Sequence, residues 1–243
     1  MQANNLNEFK TATRLFYSNE EVAAYNYKSL LQLEQPIAKI NAKHSSFQAT
    51  KIQPQDMNGL EPSLLLSKGA FVMLTMNLWP AVGLCNGSTG KIVDIIYHPS
   101  HQPPDLPIAV TVQFDGYIGP SISNKISSLV PIVPVTVSAP STNLVHERQQ
   151  IPLKLAWALT IQKSQGLTLP KAWINLGKTE RTLGITYVAL SRVKRLSSLV
   201  IEPMTFDRLK QIKNSNSLRY RQQEEQRLKE LYSYIKKKFF SQL

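Results

Sequence analysis

The chain has 243 residues, a single cysteine and a formal net charge of +12, and that length can bury roughly 70 to 75% of the unfolded surface without staples. Cys85 alone excludes an intrachain disulfide or a multi-cysteine zinc site and favours an intracellular compartment. No apolar run approaches the roughly 20 residues of a membrane span, and the start, MQANNLNEFK, is polar rather than a secretory signal.

The basic excess points to a polyanionic partner, because Lys and Arg gain affinity by releasing counterions from phosphates. Charge alone does not separate nucleic acid from an acidic membrane. The four histidines are scattered, and the nearest pair, His98 and His101, lies in a Pro-rich loop without other ligands, so no metal site is expected.

Near the start, Thr13 to Tyr17 reads as a short apolar strand, and Ser18-Asn19-Glu20-Glu21 is a capping-box pattern for a helix. Val22, Tyr25, Ser29 and Leu33 keep roughly helical spacing, which makes a βα step. From Ile37 to Pro62 the pattern weakens, with a possible strand from Ala38 to Ala42, and is read as a connecting region. From Leu64 to about Ser138 the period changes to two, the sign of half-buried strands. Phe71 to Met76, Lys91 to Tyr97, Ile108 to Asp115 and Ile132 to Ser138 are separated by turns, with no helix between them, which suggests a small antiparallel barrel.

Gln149 to Ile201 then returns to βα steps. An apolar strand (Leu153, Leu155, Trp157) feeds a polar turn of helix, Thr160 to Gln165, stopped by Gly166. A strand from Ala172 to Leu176, a helix from Thr186 to Ser191 and a strand from Leu199 to Ile201 follow. Short apolar strands alternating with helices imply a parallel sheet, and open α/β sheets place ligands where strands hand over to helices. The β-rich stretch interrupts this pattern and is most simply an insertion. The tail, Phe206 to Leu243, is helical, with Leu228, Leu231, Tyr232, Ile235 and Phe239 on one face, as in an amphipathic helix that packs on this chain or on a partner. The basic run Lys236-Lys237-Lys238 is a second, weaker pointer to nucleic acid or nuclear import.

Gly87-Ser88-Thr89-Gly90-Lys91 imitates the end of a phosphate loop. The required first glycine would fall at Cys85, Ile92 replaces the magnesium-holding Ser or Thr, and strands follow it, so a hairpin turn is expected.

LAWALTIQKSQGLTL and TYVALSRVKRLSSLVI, in that order and separated by a short strand, resemble the fifth and sixth motifs of superfamily-one DNA helicases. They are most similar to the PIF group (petite integration frequency helicases), especially the PIF-like proteins of eukaryotic mobile elements. Further matches are Ala12-Thr13-Arg14-Leu15 with Asn19, Val22 and Asn26; Gly69 to Thr75 with Asn77-Leu78; Gly83 to Gly87 with Gly90; and Arg148-Gln149-Gln150. The resemblance covers most of Ala12 to Leu209.

The resemblance implies an α/β fold: a RecA-like parallel-sheet domain, the second motor domain of a helicase, with an inserted small antiparallel SH3-like β module and a C-terminal helix. Its parts are residues 11–63 and 149–205 for the RecA-like domain, 64–148 for the module and 206–243 for the basic helix. It also implies what lies elsewhere: an N-terminal RecA-like domain with the phosphate loop and the magnesium-binding acid. ATP and Mg2+ would bind in the complete helicase, between the two RecA-like domains, and this chain alone should bind neither and hydrolyse no ATP. The implied partners are single-stranded DNA and that N-terminal domain, with no membrane. The implied place is intracellular, the nucleus with the mitochondrion as alternative. Rival readings are a non-enzymatic nucleic-acid-binding remnant and an accessory subunit whose first domain is encoded separately.

Arg192 lies seven positions after Ile185, in line with Val188 and Ala189, so it sits at the edge of a packed face. It is either a structural ion-pair residue or, by resemblance, the arginine finger that meets the γ-phosphate across the cleft, a group worth about 10³ to 10⁵ in rate. Gln165 and Gly166 close the fifth-motif helix, as a C-cap and, by resemblance, beside nucleotide and DNA backbone. Arg14 is a further nucleotide-side candidate or a surface salt bridge. Thr160, Gln162 and Lys163 are the expected DNA contacts, since hydroxyl, amide and ammonium groups can all donate to phosphate oxygens. Many members carry His where this chain has Gln162. Thr75 and Asn77 are secondary DNA candidates. Trp79 and Tyr97 are expected in the β module's own core, with base stacking as the alternative.

Overall fold

The computed structural model describes residues 6–140, 145–177, 184–203, 210 and 216–240. The chain divides into two compact units, Ser18–Leu159 and the combination of Met1–Tyr17 with Thr160–Leu243.

The chain opens the discontinuous unit with β1 (Thr13–Phe16), whose Leu15 is fully buried. It then enters the continuous unit through α1 (Asn19–Leu31), where the expected capping box is formed. Ser18 Oγ accepts the Glu21 N–H at 3.2 Å, and Ser18 N–H donates to Glu21 Oε2 at 3.2 Å. Reciprocal pairing of this kind satisfies two of the amides that a helix start leaves without partners. The helix buries Asn26 and Leu30, flanked by the half-buried Val22, Tyr25, Ser29 and Leu33.

Residues 37–62 are more than a connection. They hold β2 (Ala38–Asn41), β3 (Lys43–His44) and α2 (Phe47–Lys51). After them come β4 (Ser63–Leu66), β5 (Phe71–Leu74), β6 (Thr89–Ile96), β7 (Ala109–Phe114), β8 (Leu129–Ile132), β9 (Val135–Pro140), β10 (Val145–Gln150) and β11 (Leu153–Leu155). These strands form a five-stranded sheet ordered β11-β5-β6-β7-β8, a three-stranded sheet β3-β10-β9 and the pair β2-β4. Each of their pairings is antiparallel. Leu30, Ile40, Leu66, Leu74, Val112 and Ile151 meet in one core, each wholly buried.

The β5–β6 connection is a hairpin, not a phosphate loop. Ser88 Oγ donates to Gly83 O at 2.7 Å and accepts the Cys85 N–H at 2.9 Å. Gly90 is required inside β6 because a Cβ there would meet Gln113 O at 2.5 Å.

Two strands read from the sequence are placed differently. Ile132 to Ser138 splits at Val133-Pro134 into the end of β8 and the start of β9, and proline cannot donate to a ladder. Leu153 to Trp157 is not one parallel strand: β11 pairs antiparallel with β5, and Ala156 N–H still donates to Phe71 O at 3.0 Å. Leu153, Leu155, Trp157 and Leu159 keep one period of two across the change of sheet, so the pattern does not mark it.

The chain returns to the parallel sheet in β12 (Ala158–Thr160), followed by β13 (Ala172–Ile174), α3 (Ile185–Leu190) and β14 (Leu199–Ile201). The sheet order is β12-β1-β13-β14. β13 runs parallel to both β1 and β14, with Leu15 opposite Ile174 and Ala172 opposite Leu199. A parallel sheet beside antiparallel ones makes the fold mixed α/β, as expected. Residues 178–183 and much of 204–215 lie outside the described residues.

The tail helix α4 (Asn216–Phe240) does not bury its expected face: Leu228 and Leu231 are 48% and 43% exposed, and Tyr232 more so. Its surface carries an Arg227–Glu224 pair at 2.7 Å. The side chains of Ile235, Phe239 and Lys236 to Lys238 lie outside the described residues.

Candidate functional site

The site is built where β12 runs out. Ile161 N–H donates to Phe16 O at 2.9 Å, which ties the chain to the end of β1. A 3-10 turn, Gln162–Ser164, follows, shorter than the helical turn expected from Thr160. Thr160 itself ends the strand and is buried, and its Oγ1 accepts the Lys163 N–H at 3.3 Å. Its hydroxyl therefore caps the turn. Ser164 is fully buried, and its Oγ donates to Ile161 O at 2.7 Å.

With Ile161 and Ser164 turned inward, Gln162, Lys163, Gln165 and Gly166 are exposed. Gln165 closes the turn through its N–H to Gln162 O at 3.2 Å. Gly166 takes the left-handed conformation, φ +83°, that only glycine adopts without strain. The stop read from the sequence is present.

Arg192 follows α3 and is half-buried. Ile185 and Ala189 of that helix are buried, in keeping with its expected edge position. Its guanidinium makes no ion pair with a carboxylate among the described residues. Instead Nε donates to Val188 O at 2.7 Å, Nη1 to Ser164 O at 3.0 Å and Leu167 O at 3.1 Å, and Nη2 to Ser191 Oγ at 2.8 Å. Among the described residues, three backbone carbonyls and one hydroxyl take these donors. The two stretches that resemble the fifth and sixth motifs meet at this residue.

Arg14 lies opposite Trp173 in the β1–β13 register, with its Cζ 3.4 Å from the ring centroid, a stacked cation–π contact. In the other unit Thr75 is 9% exposed and its Oγ1 is buried without a hydrogen-bond partner among the described residues. Asn77 is exposed, and its Oδ1 accepts the Asn86 N–H at 2.8 Å. Trp79 is not in the core: it is 49% exposed, and its backbone makes a two-way bridge to Leu84. Tyr97 does have a buried hydroxyl, and burial, then the Asp105 charge, raises its pKa.

Residue-by-residue reading of the sequence missed the role of Arg148 and Gln150. Two apart on β10, they share its inward face, and both are wholly buried. Arg148 donates to Leu60 O at 2.8 Å, Ala49 O at 3.1 Å and Ile52 O at 2.7 Å. Gln150 donates to Ile40 O at 3.2 Å and Glu61 O at 3.3 Å. The period-two spacing of these polar residues was the available signal.

The parallel sheet is of RecA type, and the two stretches that resemble helicase motifs are hydrogen-bonded to one another. Residues 56–95 match the family described as DNA helicase Pif1, 2B domain. The zebrafish (Danio rerio) ATP-dependent DNA helicase PIF1 is 36% identical over 203 residues, 81% of this chain and 28% of that protein. The Pif1 helicase of Candida albicans superposes with a TM-score of 0.63 at 24% identity, over 84% of this chain and 47% of the other. The Bacteroides Pif1 helicase in complex with ADP-AlF3 and single-stranded DNA gives a TM-score of 0.55 at 23% identity, over 82% of this chain and 42% of the other. The chain belongs to the PIF-type DNA helicases, and it spans little more than a quarter of the zebrafish relative's length.

Proposed function

We propose that this chain is the second-motor-domain part of an ATP-dependent PIF-type helicase that moves 5′-to-3′ on single-stranded DNA. Residues 11–63 and 149–205 would form the RecA-like domain, 64–148 the inserted module and 206–243 a basic appendage. Arg192 would meet the γ-phosphate as the arginine finger, with Gln165, Gly166 and Arg14 on the nucleotide side. Gln162 and Lys163 would hold DNA phosphates, Thr160 would set their turn from beneath, and Asn77 would add a contact from the β-rich unit. The buried Thr75 would support that contact rather than make one. The nucleus, with the mitochondrion as alternative, would be the place of action.

The observation that carries this reading is the direct bonding of Arg192 to the turn that exposes Gln162 and Lys163. The site fits an anionic nucleotide as a charge donor, because Arg192 Nη2 keeps one hydrogen without an acceptor among the described residues. Magnesium is the partner of a phosphate-loop domain, where it would neutralise phosphate charge. Among the described residues no three His, Cys, Asp or Glu side chains gather to hold a metal.

Supplying a PIF-type phosphate-loop domain, fused upstream or as a separate chain, is the test. DNA-stimulated ATP hydrolysis should appear in the assembled protein and be absent from this chain alone. Arg192→Ala should lower it by about three orders of magnitude, as loss of a transition-state charge partner does. Hydrolysis that is indifferent to Arg192, or an assembled protein that DNA does not stimulate, would defeat the reading and favour a binding remnant.

A further inference from the structure

We infer that Arg192 is also a latch, which holds the fifth-motif turn in its DNA-binding shape when no nucleotide is present. This rests on the proposed DNA role of Gln162 and Lys163, and it gives Arg192 a task that a γ-phosphate contact alone does not require.

Both Nη1 hydrogens are spent on the carbonyls of Ser164 and Leu167, the residues on either side of Gln165-Gly166. The guanidinium is itself fixed from behind, by Nε on Val188 O and Nη2 on Ser191 Oγ. The backbone closes the loop, since Leu169 N–H donates to Arg192 O at 2.8 Å. One residue thus grips the segment 164–169 at three points.

Gly166 makes that grip necessary. Its φ is +83°, and a Cβ built there would meet nothing within 4 Å. Neither a side chain nor neighbouring packing fixes this position, and glycine moves readily between the two halves of the φ range. Leu167 N–H to Ser164 O, at 3.0 Å, is the turn's own closing bond, and one backbone hydrogen bond by itself contributes little net stability. The charged donor on Nη1 adds the stronger hold.

Two consequences follow for the same guanidinium. While Nη1 stays on the carbonyls, Gln162 and Lys163 are presented in a fixed arrangement, so DNA binding need not order the turn. A guanidinium drawn toward an anion leaves those carbonyls, and the turn is freed to loosen its hold on DNA. Nucleotide and DNA would then be coupled through the choice of acceptor at one side chain, in the sense that each ligand's affinity depends on the other.

The test uses the 243-residue chain without nucleotide, comparing Arg192→Ala and Arg192→Lys with the parent by amide hydrogen exchange and by binding to an oligo-dT strand. The latch requires faster exchange at Gln165, Leu167 and Leu169 in both variants, while Asn175, bonded to Leu15 O at 2.8 Å in the parallel sheet, keeps its protection. It also requires affinity to fall about tenfold in both, as expected when a preformed loop must be ordered on binding. Lysine keeps the charge but lacks the fork that spans two carbonyls, so a lysine variant that binds like the parent would mean charge alone matters and would overturn the latch. Unchanged exchange in the turn would overturn it as well, and so would loss of Asn175 protection, which marks Arg192 as a general stabiliser. Faster exchange in the turn with unchanged affinity would show that the turn's order does not serve DNA. If the parent itself binds no oligo-dT, the proposed DNA track fails, while the exchange result still judges whether Arg192 holds the turn.

Discussion

Asn26 pairs with the backbone of Ala158 through both ends of its carboxamide: Nδ2 donates to Ala158 O at 3.1 Å, and Ala158 N–H donates to Oδ1 at 2.8 Å. Both groups are buried, so the amide acts as a one-residue strand edge for the chain as it enters β12, two positions before Thr160. Asn26→Ala would leave a buried donor and acceptor unmatched, at a cost of about 1 to 3 kcal/mol. Asn26→Asp should cost more at neutral pH, because it sets a carboxylate oxygen against the Ala158 carbonyl. Equilibrium urea unfolding measures both, and an aspartate variant as stable as the parent would show that the two-way pairing is not made.

Arg148 is a buried cation answered by carbonyls rather than by a carboxylate. Burial lowers its pKa, opposed by the Glu61 charge, yet an arginine remains protonated at any working pH. Arg148→Met fills similar volume but leaves the carbonyls of Ala49, Ile52 and Leu60 without their donors, and should cost about 3 kcal/mol or more by the usual worth of hydrogen bonds to charged groups. Lysine should recover only part of this. A methionine variant of parental stability would mean water replaces the guanidinium freely.

His44 sits opposite Arg148 in the β3–β10 register. Burial first, and then the Arg148 charge, lower its pKa below the ordinary 6.5. A depressed folded pKa means that the unfolded chain binds the proton more readily, so stability rises with pH across this window. The contribution should be complete above about pH 6.5 and be lost as pH falls toward the depressed folded value. His44→Gln should flatten the loss of melting temperature between pH 7.5 and pH 5.5. An equal loss in both proteins would place the acid sensitivity elsewhere.

The sequence carried the parallel sheet well, since β1, β13, α3 and β14 each have an apolar run bounded by turn residues. It carried the turn at Gly166 for the same reason, because the backbone there demands glycine. What it hid were changes of partner along stretches whose pattern does not change. Leu153 and Ala158 differ in sheet but not in character, and only tertiary pairing separates them. Polar residues were misjudged in the opposite direction. Thr160 looked like a surface donor from its hydroxyl alone, whereas its place at a strand end buries it over the turn. Trp79 looked like core because large aromatics usually are, but it precedes Pro80 and a short 3-10 turn that lifts it into solvent.

The different placements of Thr160 and Lys163 give them different signatures in DNA binding. Lys163 is exposed on the turn, so Lys163→Ala should weaken binding to all single-stranded sequences alike and flatten the dependence of log affinity on log salt by about one unit, as one lost phosphate contact does. Thr160→Val should leave that slope unchanged, because a buried hydroxyl releases no counterion. It should still weaken binding by a few-fold, since the Lys163 N–H loses its acceptor and the turn loses its cap, worth about 1 kcal/mol. Titrating fluorescent oligo-dT at several salt concentrations separates the two. A valine variant that flattens the slope as alanine at 163 does would mean that losing the cap also removes the Lys163 phosphate contact, so that the turn and the charge do not act separately.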